Sequence, residues 1–323
     1  MSAGNDKNGR RSGYGGPGRG DEADGNRPHP LLTPLTMTQA VRLVRLTEDA
    51  VAKRGLSMQY DGAGAMVPVG SDGVPVQGGM FAGLANLART VAGIPRQQWR
   101  SAVAAHFDQI TSTEEPPPIP DDLESELYLR LVCAATINPS WTDRVPEFVP
   151  GVLTVPATYA GRAVAMHFDM NSLGVTPEEA TRMGLANLRG LRDQVEHLQY
   201  DGAEIAALSG SMFTASRALV LDTVLRESLR VESPPFGCLV AMPARDMLLV
   251  HVLRDQTVVT ALDMMVAITT TTFSSRPGPV SPHVYYVTDH AWQQVTDHST
   301  GEVRVQAIGK LSDALQRLGV VGR

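Results

Sequence analysis

The chain has 323 residues and a formal net charge of −6, with 43% hydrophobic and 19% charged residues. Because a domain usually holds about 100 to 200 residues, the length is sufficient for two domains. The composition is typical of a soluble globular protein. The negative charge argues against a broad electrostatic hold on nucleic acid or on an anionic membrane surface, so we expect neither as a partner.

The N-terminal segment is predicted to be a disordered tail over residues 1–33. Gly, Asp, Arg and Asn dominate its first thirty or so residues, and apolar side chains are nearly absent. Such a segment cannot offset its ordering entropy by burial. The run from Gly13 to Gly18 matches the glycine pattern of a dinucleotide-binding turn, but no strand precedes it and no apolar helix follows. It therefore predicts no nucleotide site.

The first folded domain is predicted over residues 34–113 as a small α-β-β-α-α unit. Helical spacing of apolar residues, glycine-rich reversals and a proline at a first helical position indicate its elements. They are a helix with apolar positions from Val41 to Val51, strands at Ser57–Tyr60 and Ala65–Val69, and helices over Met80–Val91 and from Pro95 to Ile110.

A proline-rich linker over residues 114–120 precedes the larger domain, predicted over residues 121–323. Consecutive prolines remove amide donors and favour a stiff, extended chain. The clearest local signal is Thr176-Pro177-Glu178-Glu179, a capping box that opens a helix. The other predicted elements are a helix from Asp121 to Val132, strands at Val152–Ala157 and Ala163–Phe168, a long helix over Met212–Leu229, a helix from Gln256 that frays near Thr269–Thr272, strands at Val284–Val287, Gln293–Val295 and Val303–Gln306, and a closing helix over Lys310–Leu318.

The stretch from Phe236 to Asp255 is predicted to be the centre of the larger domain. Two apolar runs, Cys238–Met242 and Met247–Leu253, flank a turn and indicate a β-hairpin. Both faces of each arm are apolar, which is typical of strands inside a sheet that is covered on both sides. The predicted fold class is therefore α+β, with two domains after the tail and a central mixed or antiparallel sheet covered by helices in the larger one.

The cysteines and the apolar segments predict a cytoplasmic location. Cys133 and Cys238 both lie in apolar runs, where a thiol is most often a small core side chain, and a disulfide framework is not expected. No apolar segment of signal-peptide type follows the polar N-terminus. The longest apolar segment, Val258–Ile268, is too short to span a bilayer and contains Asp263.

The turn between the arms of the central hairpin supplies the candidate binding residues, Arg245 and Asp246. Polar side chains on a loop that a buried scaffold carries are often binding residues. In the alternative interpretation, the Asp caps its own turn and the Arg pairs with a neighbour. His251, on a strand face with Leu249 and Leu253, indicates a hydrogen-bonded core histidine.

Two Asp-His pairs near the C-terminus, Asp289-His290 and Asp297-His298, are the alternative candidates for a metal site. Imidazole and carboxylate groups together bind zinc. Along one extended strand the two histidines would lie much farther apart than the roughly 4 Å that two zinc ligands span, so only a fold-back would join them. We predict no cofactor, because the sequence also lacks a Gly-x-Ser-x-Gly elbow, a His-Glu-x-x-His helix and a phosphate-binding loop.

One short repeat links the two halves of the chain. Gly83-Leu84-Ala85-Asn86-Leu87 recurs as Gly184-Leu185-Ala186-Asn187-Leu188. An old duplication and chance both explain five matching residues in an Ala- and Leu-rich chain, since no period extends beyond them.

Residues 173–268 resemble the YtpQ-like family of uncharacterised bacterial proteins. The resemblance rests on the helix that Thr176-Pro177-Glu178-Glu179 opens, the long helix from Met212, and the apolar strand that leads to Met242-Pro243-Ala244-Arg245-Asp246. It implies an architecture and a bacterial cytoplasmic setting, and it implies no chemistry.

Two functions remain open on the sequence alone. The favoured one is a non-enzymatic protein that binds or regulates another protein through the larger domain. The alternative is an enzyme or a metal-dependent ligand-binding protein with its site at the 243–246 turn and the C-terminal Asp-His pairs.

Overall fold

The computed structural model describes residues 25–62, 64–70, 73–74, 82–111, 119–137, 142, 145–160, 163–168, 170–298 and 302–320. The predicted tail as far as Asp24 lies outside the described residues, as do residues 114–118 of the predicted linker and residues 112 and 113 before it. Helices and antiparallel sheets together confirm the predicted α+β class.

The elements are numbered in chain order. The helices are α1 Met37–Ala52, α2 Ala85–Ala92, α3 Trp99–Thr111, α4 Leu123–Glu126, α5 Pro177–Gly190, α6 Val258–Ser275 and α7 Gly309–Arg317. The strands are β1 Met58–Tyr60, β2 Ala65–Pro68, β3 Ala82–Gly83, β4 Leu127–Cys133, β5 Glu147–Val149, β6 Val152–Ala160, β7 Ala163–Met166, β8 Gln194–Tyr200, β9 Ala203–Ser209, β10 Cys238–Ala244, β11 Met247–Val252, β12 Val284–Thr288, β13 Ala291–Gln294, β14 Thr296–Asp297 and β15 Arg304–Val305. Short 3-10, α and π turns follow one another over Ala215–Val220, Leu221–Thr223 and Val224–Ser228, and we call residues 215–228 the broken helix.

The first unit, residues 25–111, packs α1, α2 and α3 around a three-stranded sheet with the order β1-β2-β3. Thr36 opens α1 with a capping box. Leu32 is fully buried in this core, so the folded unit begins before the predicted start at Pro34. The predicted helix over Met80–Val91 is wrong in its first part, because Ala82 and Gly83 pair with β2 as a strand.

The hairpin β10-β11 lies at the centre of a six-stranded antiparallel sheet with the order β13-β12-β10-β11-β9-β8, as predicted. All seven residues of β10 are buried. One face of the sheet packs against α6 and α7, and the other packs against the broken helix and the end of a second sheet. The hairpin β8-β9 was not predicted, because the exposed β8 lacks a clear apolar alternation.

The second sheet has the order β4-β6-β5, with β7 also pairing with β6. The predicted helix from Asp121 to Val132 is wrong beyond Glu126, since β4 pairs along its whole length with β6. Helix α5 covers this sheet with its predicted capping box at Thr176. The approach is close, because a Cβ on Gly184 would lie 2.6 Å from Leu129 Cγ.

Two helix predictions differ from the structure in their regularity. The predicted single helix over Met212–Leu229 is the broken helix, which has a change of backbone direction at Val220 (φ −127°, ψ 43°). Helix α6 does not fray at Thr269–Thr272, because Thr269 and Thr272 are buried against the sheet and the helix continues to Ser275.

Within the described part of the chain, α6 is the one helix long and apolar enough by composition to cross a membrane. Its buried positions, among them Ala261 and Met265, pack in the core beneath the six-stranded sheet. Core helices of globular proteins meet the same criteria of length and composition.

Candidate functional site

The predicted binding turn at residues 243–246 is held between two other segments. The Arg245 backbone N–H donates to the Gly278 carbonyl at 2.7 Å, and its carbonyl accepts from the Ala215 N–H at 3.1 Å. A register shift between Ala241 and Ala244 marks a bulge at the same place. The main chain at Arg245 is therefore fixed from both sides, by the broken helix and by the loop that follows α6.

The two predicted site residues have different surroundings. Asp246 Oδ2 accepts a hydrogen bond from Arg276 Nη2 at 2.6 Å, in a half-exposed ion pair. The Arg245 side chain makes no hydrogen bond and no ion pair with any described residue. Asp246 is thus paired through Oδ2, while its Oδ1 is buried without a hydrogen-bond partner among the described residues. The Arg245 guanidinium is available to a ligand.

The first unit contacts the loop that holds this turn through Asn86, which belongs to the first copy of the short repeat, residues 83–87. Asn86 Oδ1 accepts from the Gly278 N–H at 2.6 Å, so Asn86 supports the residue that bonds Arg245. Its counterpart Asn187 instead donates to the carbonyls of Glu124 in α4 and Leu127 in β4. The glycines differ as well, since Gly83 lies in β3 and Gly184 lies inside α5. The two copies therefore have different structural roles.

Arg130 was not predicted as a site residue, although its strand is linked to the Arg245 turn through Ala215 and Ser216. It is 7% exposed on β4, and its Nε has no hydrogen-bond partner among the described residues. Burial, followed by the charge of the nearby Arg245, lowers the pKa of Arg130 to about 10. The sequence did contain a signal, an arginine inside the apolar run Leu127–Cys133. It was not recognised, because this segment was predicted to be a helix instead of a buried strand.

An aromatic cluster lines the surroundings of Arg130. Its guanidinium carbon lies 5.9 Å from the Phe213 ring centroid, within the range of a cation–π contact. Phe213 also stacks on Tyr128 at 4.6 Å and meets Tyr159 edge-on at 5.2 Å. These rings attract the Arg130 charge only weakly, and no carboxylate pairs with it among the described residues.

A buried ion pair between Arg217 and Asp193 fixes the start of β8. Both side chains are fully buried, and Asp193 Oδ1 also accepts from Thr214 Oγ1 at 3.0 Å. Asp193 directly precedes β8, and Arg217 belongs to the broken helix. The pair ties the edge of the sheet to its covering layer.

The four residues of the alternative metal site lie at the two ends of β13. Asp289 and His290 form the β12-β13 turn, both with positive φ, while Asp297 ends β14 and His298 follows it. The His298 ring instead packs edge-on against His283, at 4.9 Å between centroids. No group of three or more His, Cys, Asp or Glu suited to a metal ion occurs among the described residues.

Among the described residues, the strand β8 forms an edge of the six-stranded sheet that no other strand covers. It pairs with β9 in unbroken register from Gln194 to Tyr200, and no strand of the described chain pairs with its outer side. The two-residue turn at Asp201 and Gly202 has positive φ at both positions. In such a hairpin the residues flanking the turn bond each other, so Val195, His197 and Gln199 direct their N–H and C=O groups outward.

The opposite edge of the sheet, next to β13, is covered. Gln306 N–H donates to the Val295 carbonyl at 2.8 Å, and Gln293 Nε2 donates to the Ile308 carbonyl at 2.6 Å. The segment before α7 therefore lies along that side. The two edges of one sheet thus differ in their protection.

A shallow groove of about 590 Å³ lies beside the β8-β9 turn. Its lining consists of Phe236, Arg254, Asp255, Gln256, Thr257, Arg317 and Leu318. A Cβ on Gly202 would lie 3.8 Å from Thr257 Cγ2, which places the turn next to the groove. None of the residues predicted as a site lines it.

Comparison with protein-family models, curated proteins and solved structures finds no match to this chain. The resemblance to the YtpQ-like family over residues 173–268 therefore stays a prediction.

Proposed function

We propose that the chain is a protein-binding module that adds an extended segment of a partner protein to the outer edge of β8. The observation that carries the proposal is the unpaired side of this seven-residue strand. An exposed edge offers a row of free N–H and C=O groups, and partner strands bind such rows by main-chain hydrogen bonds.

The edge lacks several of the devices that usually protect exposed strands. The sequence of β8, QVEHLQY, contains no proline and no lysine, and its pairing with β9 has no bulge. Natural proteins commonly use these features to prevent strand addition. Their absence from β8 supports the proposal that a partner strand can pair with its outer edge.

The edge is also fixed in position before a partner arrives. The buried pair Arg217–Asp193 holds one end of β8, and the tight turn at Asp201-Gly202 holds the other. A preorganised strand loses little conformational entropy on binding, which favours affinity. The rigid edge therefore supports recognition of an extended segment.

The chemistry of the edge favours a partner protein that binds transiently over a second copy of this chain. The exposed side chains of β8 are largely polar, whereas permanent homodimer interfaces are more apolar. Tyr200, which is 65% exposed at the end of the strand, is an aromatic residue of the type that dominates binding energy at interfaces. The two free thiols support a reducing cytoplasm as the setting of the module.

His197 provides the test of this function. His197→Pro removes one outward N–H, and a proline is tolerated on an edge strand where its position faces solvent. His197→Ala removes the same side chain, including its contact with Glu204, but keeps the N–H. The two variants therefore separate main-chain recognition from side-chain recognition.

The measurement compares three baits in cytoplasmic extract of the source organism: the unmodified chain, His197→Ala and His197→Pro. We expect a partner that the first two retain and the proline variant loses. Amide exchange in the purified complex should then be slowed at Val195, His197 and Gln199. Equal capture by all three baits, or a complex that leaves these amides unprotected, would contradict the proposal.

A further inference from the structure

We propose that Arg130 and Arg245 together bind an oxyanion of the phosphate class, at the junction between β4 and the 243–246 turn. This site is separate from the edge of β8, and it does not depend on the function proposed for that edge. The ligand is either free phosphate or the phosphate group of an ester.

Arg130 supplies a buried cation without a counter-ion. Its side chain is more than nine-tenths buried on β4, its Nε is unpaired, and no ion pair forms with it among the described residues. Among the described residues, the Phe213 ring at 5.9 Å makes the only cation–π contact of Arg130. A buried guanidinium normally has a carboxylate or another anion as its partner, because its desolvation is otherwise uncompensated.

Arg245 supplies a second cation, on a main chain that is already fixed. Hydrogen bonds from its backbone to Gly278 and Ala215 set the position of its Cα. Its stem lies over Gly278, where an added Cβ would come within 2.5 Å of Arg245 Cδ. The guanidinium at the end of this stem binds no described residue. A fixed stem with a free head is the arrangement of a ligand-binding arginine.

The two segments that carry these like charges are held together by the start of the broken helix. Leu131, next to Arg130, donates its N–H to Ser216 Oγ at 2.9 Å, and the Ala215 N–H donates to the Arg245 carbonyl at 3.1 Å. Residues 215 and 216 thus join β4 to the turn, and, after burial, the charge of Arg245 contributes to the lowered pKa of Arg130. The neighbouring carboxylate, Asp246, is engaged by Arg276. An anion between Arg130 and Arg245 would compensate the buried charge of Arg130 and reduce the repulsion between the two cations.

The donor geometry favours phosphate. Arginine presents a planar fork of N–H donors that matches the oxygens of phosphate, and a doubly charged phosphate suits two cations better than a singly charged carboxylate does. The Phe213 ring lies next to Arg130, and the rings of Tyr128 and Tyr159 pack against Phe213. These rings form an apolar wall against which the organic part of an aromatic phosphate ester would pack.

Titration calorimetry with the full chain at constant ionic strength tests the proposal. The probes are inorganic phosphate, phenyl phosphate and acetate. We expect saturable, one-to-one binding of a phosphate probe, with acetate much weaker. Phenyl phosphate binding more tightly than inorganic phosphate would identify an ester as the ligand, whereas equal affinities would identify free phosphate.

Three variants locate the binding. Arg245→Met keeps the stem of a half-buried side chain, so the fold is expected to persist, and binding should weaken about tenfold or more. Arg130→Met should have a similar effect. Arg254→Met is the control, because Arg254 is an exposed residue between β11 and α6, and this variant should bind as the unmodified chain does.

Three results would overturn the proposal. They are no phosphate binding beyond that of acetate, unchanged binding in Arg245→Met, and equal weakening in Arg254→Met. If Arg130→Met fails to fold, the comparison of Arg245→Met with Arg254→Met still decides the question.

Discussion

Gly278 lies directly beneath the side chain of Arg245. A Cβ on Gly278 would meet Arg245 Cδ at 2.5 Å and Arg245 Cγ at 2.9 Å, and the Gly278 carbonyl accepts the Arg245 N–H. Gly278 has a φ of +72°, a conformation that L-residues with a Cβ rarely adopt. One glycine thus sets both the backbone and the stem of the arginine at the centre of the candidate anion site.

Gly278→Ala is expected to destabilise the chain and to displace Arg245. The left-handed backbone alone costs about 1–2 kcal/mol, and the clash with the arginine stem adds about 1 kcal/mol or more. Gly174→Ala is the matched control, because Gly174 has a φ of +66° and no atom near its added Cβ. Urea unfolding of both variants measures the difference, and an equal loss of stability would show that the contact with Arg245 is unimportant.

Asp193→Ala should be strongly destabilising, because it leaves the fully buried Arg217 without its counter-ion. Breaking a buried ion pair by removal of one partner costs about 3–5 kcal/mol. Glu124→Ala breaks the exposed pair with Arg182 and should leave the free energy of unfolding nearly unchanged. Denaturant melts compare the two variants, and a similar small effect for both would contradict the anchoring role of Asp193.

Leu249→Ala is expected to cost about 2–5 kcal/mol of stability, because it creates a cavity in the core beneath the central sheet. Leu249 is fully buried there on β11. Val259→Ala, on the half-exposed outer face of α6, should have a much smaller effect. If Leu249→Ala melts at the temperature of the unmodified chain, the central strands are not the core.

The stability of the chain should fall as the solution is acidified below about pH 6.5, the ordinary pKa of histidine. Burial lowers the pKa of His251, whose Nδ1 lies 2.7 Å from the Glu204 carbonyl. In the window between the lowered pKa and about 6.5, the unfolded chain binds the proton and the folded chain does not, so acid favours unfolding.

His251→Asn tests this origin, because asparagine retains a donor toward the Glu204 carbonyl and does not titrate. The variant should show a shallower fall in unfolding free energy between about pH 7 and pH 5. His106, His167 and His283 also have pKa values lowered by burial, so some dependence should persist. An unchanged slope would exclude His251 as a contributor.

The sequence predicted those elements whose signals are local. The capping box at Thr176 and the hairpin β10-β11, whose arms are apolar on both faces, are where they were expected. Residues close in sequence determine both features. Strand β4 was mistaken for a helix because Leu127 and Leu131 also fit a helical stripe. Its pairing with the distant β6 overrides that pattern, and such long-range pairing is invisible in a local window.

The candidate site also combines features that are local in the sequence with contacts between distant segments. Arg245 was predicted as a candidate because a turn between two buried strands is a local feature, and its role as a site residue stays a prediction. Its surroundings were not predicted, because Arg130, Gly278 and Asn86 reach the turn from three distant segments. The edge of β8 was missed for the opposite reason, since an exposed strand with few apolar residues carries little local signal.

Amide hydrogen exchange of the free chain along β8 is the most direct test of the open edge. We predict alternation, with fast exchange at Val195, His197 and Gln199 and slow exchange at Glu196 and Leu198, whose N–H groups bond β9. Slow exchange at all five amides would show that the edge is already covered, and fast exchange at all five would show that the strand is not formed. Either result would contradict strand addition at β8.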